Sequence, residues 1–329
     1  MKKTVYIFNE GNLHRKDNTI YFESIDGKRY LPVEDINDIC VFGEVGNSKK
    51  FFEFCTQHKI MVHYFNYHEY YVGTYYPREH YNSGYMVLNQ AKFYLEEAKR
   101  KSLAYKFIIG SGKNIINVLK YYANRGKEIQ DQIDKIQDLI VKVKQDMDIS
   151  QMMAIEGNIR EIYYSAFDGI LDNKIFRFES RSKRPPQNAL NSLISFGNSL
   201  MYTTVLSEIY KTHLDPRIGY LHSTNNRRFT LNLDVAEVFK PIIVDRVIFT
   251  LISKKMIQGK HFDHTVGAVY LNEEGRKVFL SQYEEKLRTT LLHKDLGRNV
   301  SYQRLIRMEL YKIEKHIMQE KEYEPYVNR

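Results

Sequence analysis

The chain has 329 residues, of which 43% are hydrophobic and 27% are charged, enough apolar material for one large folded domain or two ordinary ones. This composition excludes a disordered protein, and no uninterrupted apolar run approaches the roughly 18 residues that a membrane-spanning helix needs. The two cysteines, Cys40 and Cys55, have neither zinc-ligand spacing nor the density of a disulfide scaffold, and no cleavage site follows the short apolar start. We therefore expect a cytoplasmic protein.

The positive charge is concentrated in the second part of the chain. The formal net charge is +9, with −1 over residues 1–85 and +10 over residues 86–329. Such an excess makes nucleic acid a strong candidate partner. One basic segment, which we predict to be an extended loop, contains Lys174, Arg177, Arg181, Lys183 and Arg184. A phosphate-binding face and an ordinary solvated surface are equally consistent with its composition.

Residues 1–85 have the pattern of a small β-rich domain. Short runs of β-branched and aromatic residues alternate with turn sequences. The predicted strands are Thr4–Phe8, Thr19–Glu23, Ile39–Phe42, Ile60–Phe65 and Tyr70–Tyr76. A helix is predicted over Ser48–His58, with Ser48 as its N-cap residue.

The pattern changes near Tyr85, where apolar residues begin to recur at spacings of three and four, as is typical of helices. The predicted helices cover about 87–109, 112–146, 149–171, 188–210, 233–257, 274–290 and 299–319. We therefore predict an α+β protein with a small β-rich N-terminal domain over residues 1–85 and a large all-α C-terminal domain over residues 86–329. Residues 321–329 are predicted to form a loose polar tail.

One glycine-rich stretch, Gly110–Lys113, resembles part of a phosphate-binding loop. The full pattern requires a glycine where Phe107 stands and a serine or threonine where Asn114 stands. These two departures argue against a nucleotide-binding loop.

Two predicted helices carry carboxylates among apolar residues, where an unpaired charge is costly to bury. Glu156 lies four residues before Arg160 on one helix face, and Glu237 lies three residues before Lys240 on another. One interpretation is that these residues form salt bridges, with Glu237 paired either to Lys240 or to an arginine such as Arg227.

The alternative interpretation is a metal site. His222 lies in the short apolar stretch Ile218–Ser223, between Glu156 and Glu237 in the sequence. If the three side chains converge, two carboxylates and one imidazole suit Mg²⁺ or Mn²⁺ better than a structural zinc. The residues by themselves leave both interpretations open.

Five separated parts of the chain form a recognisable pattern in a fixed order. They are Lys3–Phe8 with Arg15–Thr19, Ala154–Gly157, Arg184–Asn188 with Asn191–Gly197, Leu214–Ser223, and Leu233–Pro241. Together they resemble the CRISPR-associated spacer integrases, the larger of the two universal CRISPR adaptation proteins. Within this family the resemblance is to the proteins of type I systems, subtype I-B. The resemblance spans essentially the whole chain.

The resemblance implies a fold and an assembly. A β-rich domain would precede a helical catalytic domain, and the N-terminal domains would pair in a homodimer. Two such dimers would flank a dimer of the small CRISPR adaptation partner in a heterohexamer. The implied substrates are double-stranded and branched DNA, namely the spacer precursor and the leader–repeat junction, with no membrane involved.

The resemblance also implies functions for individual residues. Glu156, His222 and Glu237 occupy the metal-ligand positions, with Mg²⁺ or Mn²⁺ as the cofactor. Asp234 and Lys240 occupy nearby positions that contribute to catalysis. The predicted DNA-binding residues are Arg160, on the active-site face of its helix, and Lys174, Arg177, Arg181, Lys183, Arg184, Arg227 and Arg228.

Two positions depart from the pattern of many relatives. Glu237 stands where many have aspartate, and the extra methylene can alter metal geometry and preference. Asn198 stands where many have tyrosine, so a tyrosine function there does not transfer to this chain.

The implied activity is that of a metal-dependent DNA endonuclease and integrase. The 3′-hydroxyl of an incoming DNA fragment would attack a phosphodiester at the leader end of a repeat array. Two other functions stay open: a non-catalytic DNA-binding scaffold whose carboxylates only form salt bridges, and a repair nuclease that acts on branched DNA.

Overall fold

The computed structural model describes residues 2–78, 81, 83–224, 229–293 and 296–328. The chain divides into two compact units, Met1–Asn82 and Ser83–Arg329. The first unit is rich in strands and the second is largely helical, which confirms the predicted α+β class. The predicted boundary, after Tyr85, lies a few residues further along the chain.

The first unit consists mainly of strands. In chain order they are β1 (Lys3–Ile7), β2 (Gly11–Lys16), β3 (Thr19–Ser24), β4 (Gly27–Leu31), β5 (Ile36–Val41), β6 (Val45–Asn47), β7 (Met61–Phe65) and β8 (Tyr71–Tyr75), with helix α1 (Lys49–His58) between β6 and β7. One sheet has the order β1-β5-β7-β8, in which β1, β5 and β7 are parallel and β8 is antiparallel to β7. The other sheet has the order β4-β3-β2-β6.

Apolar side chains of the strands and of α1 form the core of this unit. Leu13, Ile20, Phe51 and Phe54 are fully buried in one cluster. The hydroxyl of Ser48 accepts a hydrogen bond from the backbone N–H of Phe51 at 3.2 Å, so the predicted helix cap is confirmed.

The helices of the second unit are α2 (Gly84–Leu95), α3 (Glu97–Ala123), α4 (Gln130–Lys142), α5 (Ile149–Leu171), α6 (Ala189–Ile209), α7 (Leu231–Phe239), α8 (Arg246–Ser253), α9 (Glu273–Arg288) and α10 (Tyr302–Ile317). Two short antiparallel hairpins, absent from the all-α prediction for this domain, are β9 (Phe262–Thr265) with β10 (Ala268–Leu271) and β11 (Thr290–His293) with β12 (Arg298–Ser301). Strands of four residues are too short to show a clear alternation of apolar and polar residues, so the sequence pattern did not predict them. Across the described ranges, no helix combines the length and the apolar composition needed to cross a membrane.

The chain between α7 and α8 departs from the single helix predicted over 233–257. Pro241 has no N–H group, so a regular α-helix cannot continue through it. Residues Pro241–Asp245 form a π-helical turn instead, in which the Asp245 N–H donates to the Lys240 carbonyl at 3.1 Å. Lys240 and Asp245 lie at the two ends of this turn.

Helix α3 runs without interruption through Gly110–Lys113, where a break between two helices was predicted. A Cβ atom on Gly110 would lie 2.5 Å from Pro325, and one on Gly112 would lie 2.6 Å from Ile140. The glycines therefore permit close packing, Gly110 against the C-terminal segment and Gly112 against α4, instead of forming a phosphate loop. The predicted helix over 112–146 was also wrong, because α3 and α4 are separate.

The segment after α10 is not the loose tail that was predicted. Tyr323 is fully buried, and its hydroxyl donates to Glu309 at 2.7 Å. The side-chain amide of Asn114 donates to the carbonyls of Tyr326 and Val238, both at 2.9 Å. The C-terminal segment is thereby joined to α3 and to the end of α7.

Replacing Tyr323 with alanine is expected to lower the free energy of unfolding by about 3–5 kcal/mol, because a buried aromatic ring is removed. Replacing it with phenylalanine removes only the donor to Glu309 and should cost about 1 kcal/mol. Urea unfolding measures both changes. Glu320→Ala, at an exposed position, is the control; a Tyr323→Ala change as small as that of the control would show that the segment contributes little to stability.

Candidate functional site

Glu156 and Arg160 form an ion pair on α5. The Arg160 Nε atom donates to Glu156 Oε1 at 3.2 Å across one helical turn. The Glu156 side chain is 24% exposed and that of Arg160 is 12% exposed. The first predicted salt bridge is present, and the Glu156 carboxylate remains accessible to solvent.

Glu237 on α7 is held by two cations. Its Oε2 atom contacts the Arg160 guanidinium and its Oε1 atom contacts the Lys240 ammonium, while the side chain is only 7% exposed. Lys240 also donates to the hydroxyl of Tyr202 on α6 at 3.1 Å. We call Glu156, Arg160, Glu237 and Lys240 the carboxylate cluster. Arg160 is the side chain that links its two carboxylates.

Asp234, one turn before Glu237, holds the loop that carries His222. Its Oδ2 atom accepts from the backbone N–H groups of Tyr220 at 2.6 Å and Leu221 at 3.1 Å. Its Oδ1 atom accepts from the His222 N–H at 2.9 Å and lies 2.8 Å from His222 Nδ1. Asp234 is fully buried. A carboxylate only accepts, so the proton of this contact is on Nδ1, which leaves Nε2 of the neutral ring as an acceptor.

Gly219 allows this loop to approach Asp234 closely. A Cβ atom at this position would lie 2.9 Å from Asp234 Oδ2 and 2.7 Å from the backbone carbon of Thr230. The Gly219 N–H donates to the Thr230 hydroxyl at 2.9 Å. Any larger residue would push the loop, and His222 with it, away from α7.

A further carboxylate, that of Asp245, lies near Arg160. Burial raises the pKa of Asp245 to about 6, although Arg160 and Tyr163 act in the opposite direction. Burial also raises the pKa of Tyr163 well above its usual value, with Asp245 adding to the effect. Burial alone would lower the pKa of Arg160, but Tyr164, Glu156 and Asp245 together raise it above its usual value. Arg160 therefore remains a cation at every pH relevant to the protein.

The predicted basic loop leads to the carboxylate cluster. Arg181 is partly buried and donates to the Ser195 hydroxyl on α6 at 3.0 Å. Burial would raise the pKa of Tyr202, but Lys240 and, to a smaller extent, Lys183 lower it. The charge of Lys183 therefore acts on Tyr202, and the loop brings positive charge towards the site.

Of the predicted DNA-binding residues, Arg160 lies in the carboxylate cluster, and the others fall into three groups. Lys174, Arg177, Lys183 and Arg184 are exposed. Arg181 is engaged by α6, through Ser195 and through Asn191 at 2.9 Å, which favours a positioning function over a phosphate contact. Arg227 and Arg228 lie outside the described residues.

The carboxylate oxygens of Glu156 and Glu237 suit a hard divalent cation, although in this structure the Arg160 guanidinium lies between them. In the parts of the chain that the structure describes, no three His, Cys, Asp or Glu side chains are grouped so as to hold a metal ion. Two carboxylates that share one cation are nevertheless a suitable donor pair for Mg²⁺ or Mn²⁺. An imidazole whose Nδ1–H is held by a carboxylate, as in His222, has the orientation typical of metal-binding histidines. The ligand set of Glu156, His222 and Glu237 stays a prediction.

Two residues near the cluster were missed in the sequence. Tyr202 lies on α6, a helix that is apolar on nearly all sides, so its hydroxyl did not stand out. Asp245 interrupts the apolar run Pro241–Ile252. An acid inside such a run is itself a signal, because a fully buried carboxylate needs a partner.

Comparison with known proteins identifies the family. Residues 5–285 match the family described as CRISPR associated protein Cas1. The chain is 56% identical over 327 residues to the CRISPR-associated endonuclease Cas1 2 of Thermodesulfovibrio yellowstonii, with 99% of each chain covered.

Solved structures agree with this match. A Cas1 protein from Thermotoga maritima has a TM-score of 0.90 at 47% identity, with 98% of this chain and 99% of that chain covered. A casposase bound to integration product has a TM-score of 0.85 at 19% identity, covers 100% of this chain and 96% of its own, and shows a shared fold. The chain belongs to the Cas1 family of CRISPR-associated proteins.

Proposed function

We propose that this chain is a divalent-metal-dependent DNA endonuclease and integrase that inserts new spacer DNA into a CRISPR array. A relative at 56% identity is named a CRISPR-associated endonuclease. The observation that carries the proposal is that Glu156 and Glu237, from separate helices, meet at one guanidinium. Such a pair of carboxylates around a cation is what a metal-dependent phosphoryl-transfer site requires. The type I-B assignment stays a prediction.

The proposed reaction is a transesterification. The 3′-hydroxyl oxygen of the incoming fragment attacks a phosphorus atom of the array, and the bond from that phosphorus to the 3′-oxygen of the array strand breaks. The attacking hydroxyl loses its proton and the leaving oxygen gains one. The number of phosphodiester bonds is unchanged, so no external energy source is needed. With water as the nucleophile, the same site acts as an endonuclease.

Glu156, His222 and Glu237 would hold the ion, which when bound supplies Lewis-acid polarisation of the phosphodiester. The carboxylate of Asp234 keeps the His222 ring in one orientation with Nε2 as an acceptor, which suits the proposed function of His222 as a ligand. Lys240 is buried against Glu237 and acts by positioning that carboxylate.

Arg160 balances the two carboxylates before an ion binds. One guanidinium touches both Glu156 and Glu237, and it would give up part of this contact if the two carboxylates held an ion. A guanidinium group is also suited to contact a DNA phosphate, in agreement with the predicted DNA-binding function of Arg160.

The proposed partners are double-stranded and branched DNA, a second copy of the chain and the small adaptation protein, in the heterohexamer that the family resemblance implies. A protein of this fold, at 17% identity, belongs to a Cas6-RT-Cas1–Cas2 complex. The charge of the second part of the chain, +10 over residues 86–329, supports a DNA partner.

A strand-transfer assay tests the proposal. The wild-type chain, with the small partner, is mixed with a labelled DNA fragment and a plasmid that carries a leader and a repeat. We expect joining with Mn²⁺, no joining with chelator, and no joining when the fragment ends in a 3′-deoxynucleotide, which lacks the attacking oxygen. Joining that persists with chelator or with the 3′-deoxy end would contradict the proposed chemistry.

Two rival functions are distinguished by further measurements. A non-catalytic scaffold would bind DNA but would show no saturable Mn²⁺ binding that Glu156→Ala removes. A repair nuclease would cleave arbitrary branched DNA faster than it joins fragments to a repeat. We expect the repeat-bearing target to be preferred.

A further inference from the structure

Three cations gather around tyrosine rings where the ends of four helices meet. The Arg246 guanidinium of α8 lies 4.0 Å from the ring centroid of Tyr121 at the end of α3. The Arg125 guanidinium, which follows α3, lies 3.6 Å from the same ring. The Lys286 ammonium near the end of α9 lies 4.1 Å from the ring of Tyr302, the first residue of α10. We call Arg125, Arg246 and Lys286 the second basic cluster.

The second basic cluster has no acidic partner. In the described parts of the chain, none of its three cations forms an ion pair. Other cations of α9 are paired within one turn, Lys277 with Glu273 and Arg288 with Glu284. The contrast shows that the absence of a carboxylate at Lys286 is a local property and not a general feature of the helix.

Two of these cations repel each other. Burial and, to a smaller extent, the nearby charge of Arg246 lower the pKa of Lys286 to about 8. Both side chains are half-buried, so water screens the repulsion only in part. An anion placed at this point would offset the repulsion. Arg125 is exposed and Tyr121 is 38% exposed, so an anion can reach the cluster from solvent.

The second basic cluster is separate from the carboxylate cluster. Asp245 interacts with Arg160, whereas the next residue, Arg246, contacts the tyrosines at the end of α3. Successive residues of a helix point about 100° apart, so the two side chains face different elements. A ligand held here would therefore bind apart from the reacting phosphate.

We propose that Arg246 and Lys286, with Arg125 beside them, form a second phosphate-binding site that holds a backbone phosphate of DNA. This inference rests on the proposed function, since it takes the ligand to be the DNA on which the enzyme acts. Guanidinium and ammonium groups are the usual partners of phosphate oxygens. The +10 charge of residues 86–329 favours nucleic acid over an acidic protein.

The salt dependence of DNA binding tests this site. Lys286→Met keeps the aliphatic stem on the Tyr302 ring but removes the charge, and Arg125→Gln alters an exposed position. Lys277→Met removes a paired, exposed lysine from the same helix and is the matched control. Each full-length protein is titrated with one double-stranded DNA fragment at several salt concentrations. No strand transfer is needed for the readout.

We expect Lys286→Met to weaken DNA binding and to make the slope of log K against log[salt] shallower, by at most about 0.9, because the bound phosphate loses one of the cations that hold it. Arg125→Gln should shift in the same direction, and Lys277→Met should match the wild type. An unchanged slope in Lys286→Met would overturn the proposal. If that variant were also more stable than the wild type, the clustered cations would only destabilise the fold, with no ligand to offset their repulsion. An unchanged slope combined with weaker binding of polyglutamate would assign the site to an acidic protein and would equally overturn it.

Failure of this inference is distinguishable from failure of the proposed function. The salt slope reports binding alone, whereas the proposed function fails if joining proceeds with chelator. A normal slope in Lys286→Met together with metal-dependent joining would remove only the second site.

Discussion

Glu237→Gln is expected to reduce the rate of strand transfer about a thousand-fold, equivalent to ~4 kcal/mol of transition-state stabilisation. The amide has the shape of the carboxylate but carries no charge for a metal ion. DNA binding should persist, because Glu237 is buried and its charge repels phosphate. The strand-transfer assay with Mn²⁺ measures the decrease, and the DNA dissociation constant is measured in parallel.

The same substitution also affects folding, so a matched control is needed. Arg160 and Lys240 would lose a buried partner, which typically costs about 3–5 kcal/mol. Glu208 is an equivalent buried carboxylate elsewhere in the fold, held by Lys211 at 2.8 Å and Arg307 at 2.6 Å. Glu208→Gln should lower stability similarly but keep strand transfer per folded molecule. Equal decreases of activity in the two variants would indicate a folding defect instead of a metal ligand.

A conservative variant refines this prediction. Glu237→Asp keeps a carboxylate at this position. We expect measurable, metal-dependent strand transfer in this variant, with an altered preference between Mg²⁺ and Mn²⁺ because the side chain is one methylene shorter. Activity as low as that of Glu237→Gln would show that the reach of glutamate is required in this chain.

Asp234→Asn is expected to reduce strand transfer about a hundred-fold through His222. Asp234 accepts from three consecutive backbone N–H groups and from the imidazole. An amide places an NH₂ group against some of these donors, so the loop and the ring lose their fixed position. Because the expected defect is in metal binding, the Mn²⁺ concentration for half-maximal rate should rise, and excess Mn²⁺ should restore part of the rate.

A nearby carboxylate provides the control for this variant. Asp215 accepts from the Arg217 N–H at 2.9 Å in the same segment and does not touch His222. Asp215→Asn should leave the Mn²⁺ dependence unchanged. If the two variants show the same Mn²⁺ dependence, Asp234 supports the loop in general and not the imidazole in particular.

The spacing of residues in the sequence was sufficient to predict the contacts within one helix. Glu156 with Arg160 and Glu237 with Lys240 lie one turn apart, and helix geometry alone brings each pair together. The contact between Arg160 and Glu237 joins residues 77 positions apart in the sequence, so only the packing of the helices creates it. Spacing therefore predicted the two halves of the carboxylate cluster and not the side chain that links them.

Predictions from composition were wrong where a few side chains determine the local structure. The C-terminal segment is polar on average, yet Tyr323 and its bond to Glu309 anchor it in the core. Gly110 was interpreted as a helix break, although the glycine leaves room for Pro325 of that same segment. Gly110 and Asn114 of α3 lie more than 200 positions before the C-terminal residues that they contact, and a single-sequence pattern carries no information about so distant a partner.

The metal dependence of strand transfer in wild type and Glu156→Ala tests the central claim most directly. Joining of a fragment with a free 3′-hydroxyl to a repeat-bearing plasmid is followed over a range of Mn²⁺ concentrations. We expect saturable, metal-dependent joining in the wild type and none in Glu156→Ala, with similar DNA binding by both proteins. Equal joining by the two proteins, or joining that does not depend on Mn²⁺, would contradict a metal site at Glu156.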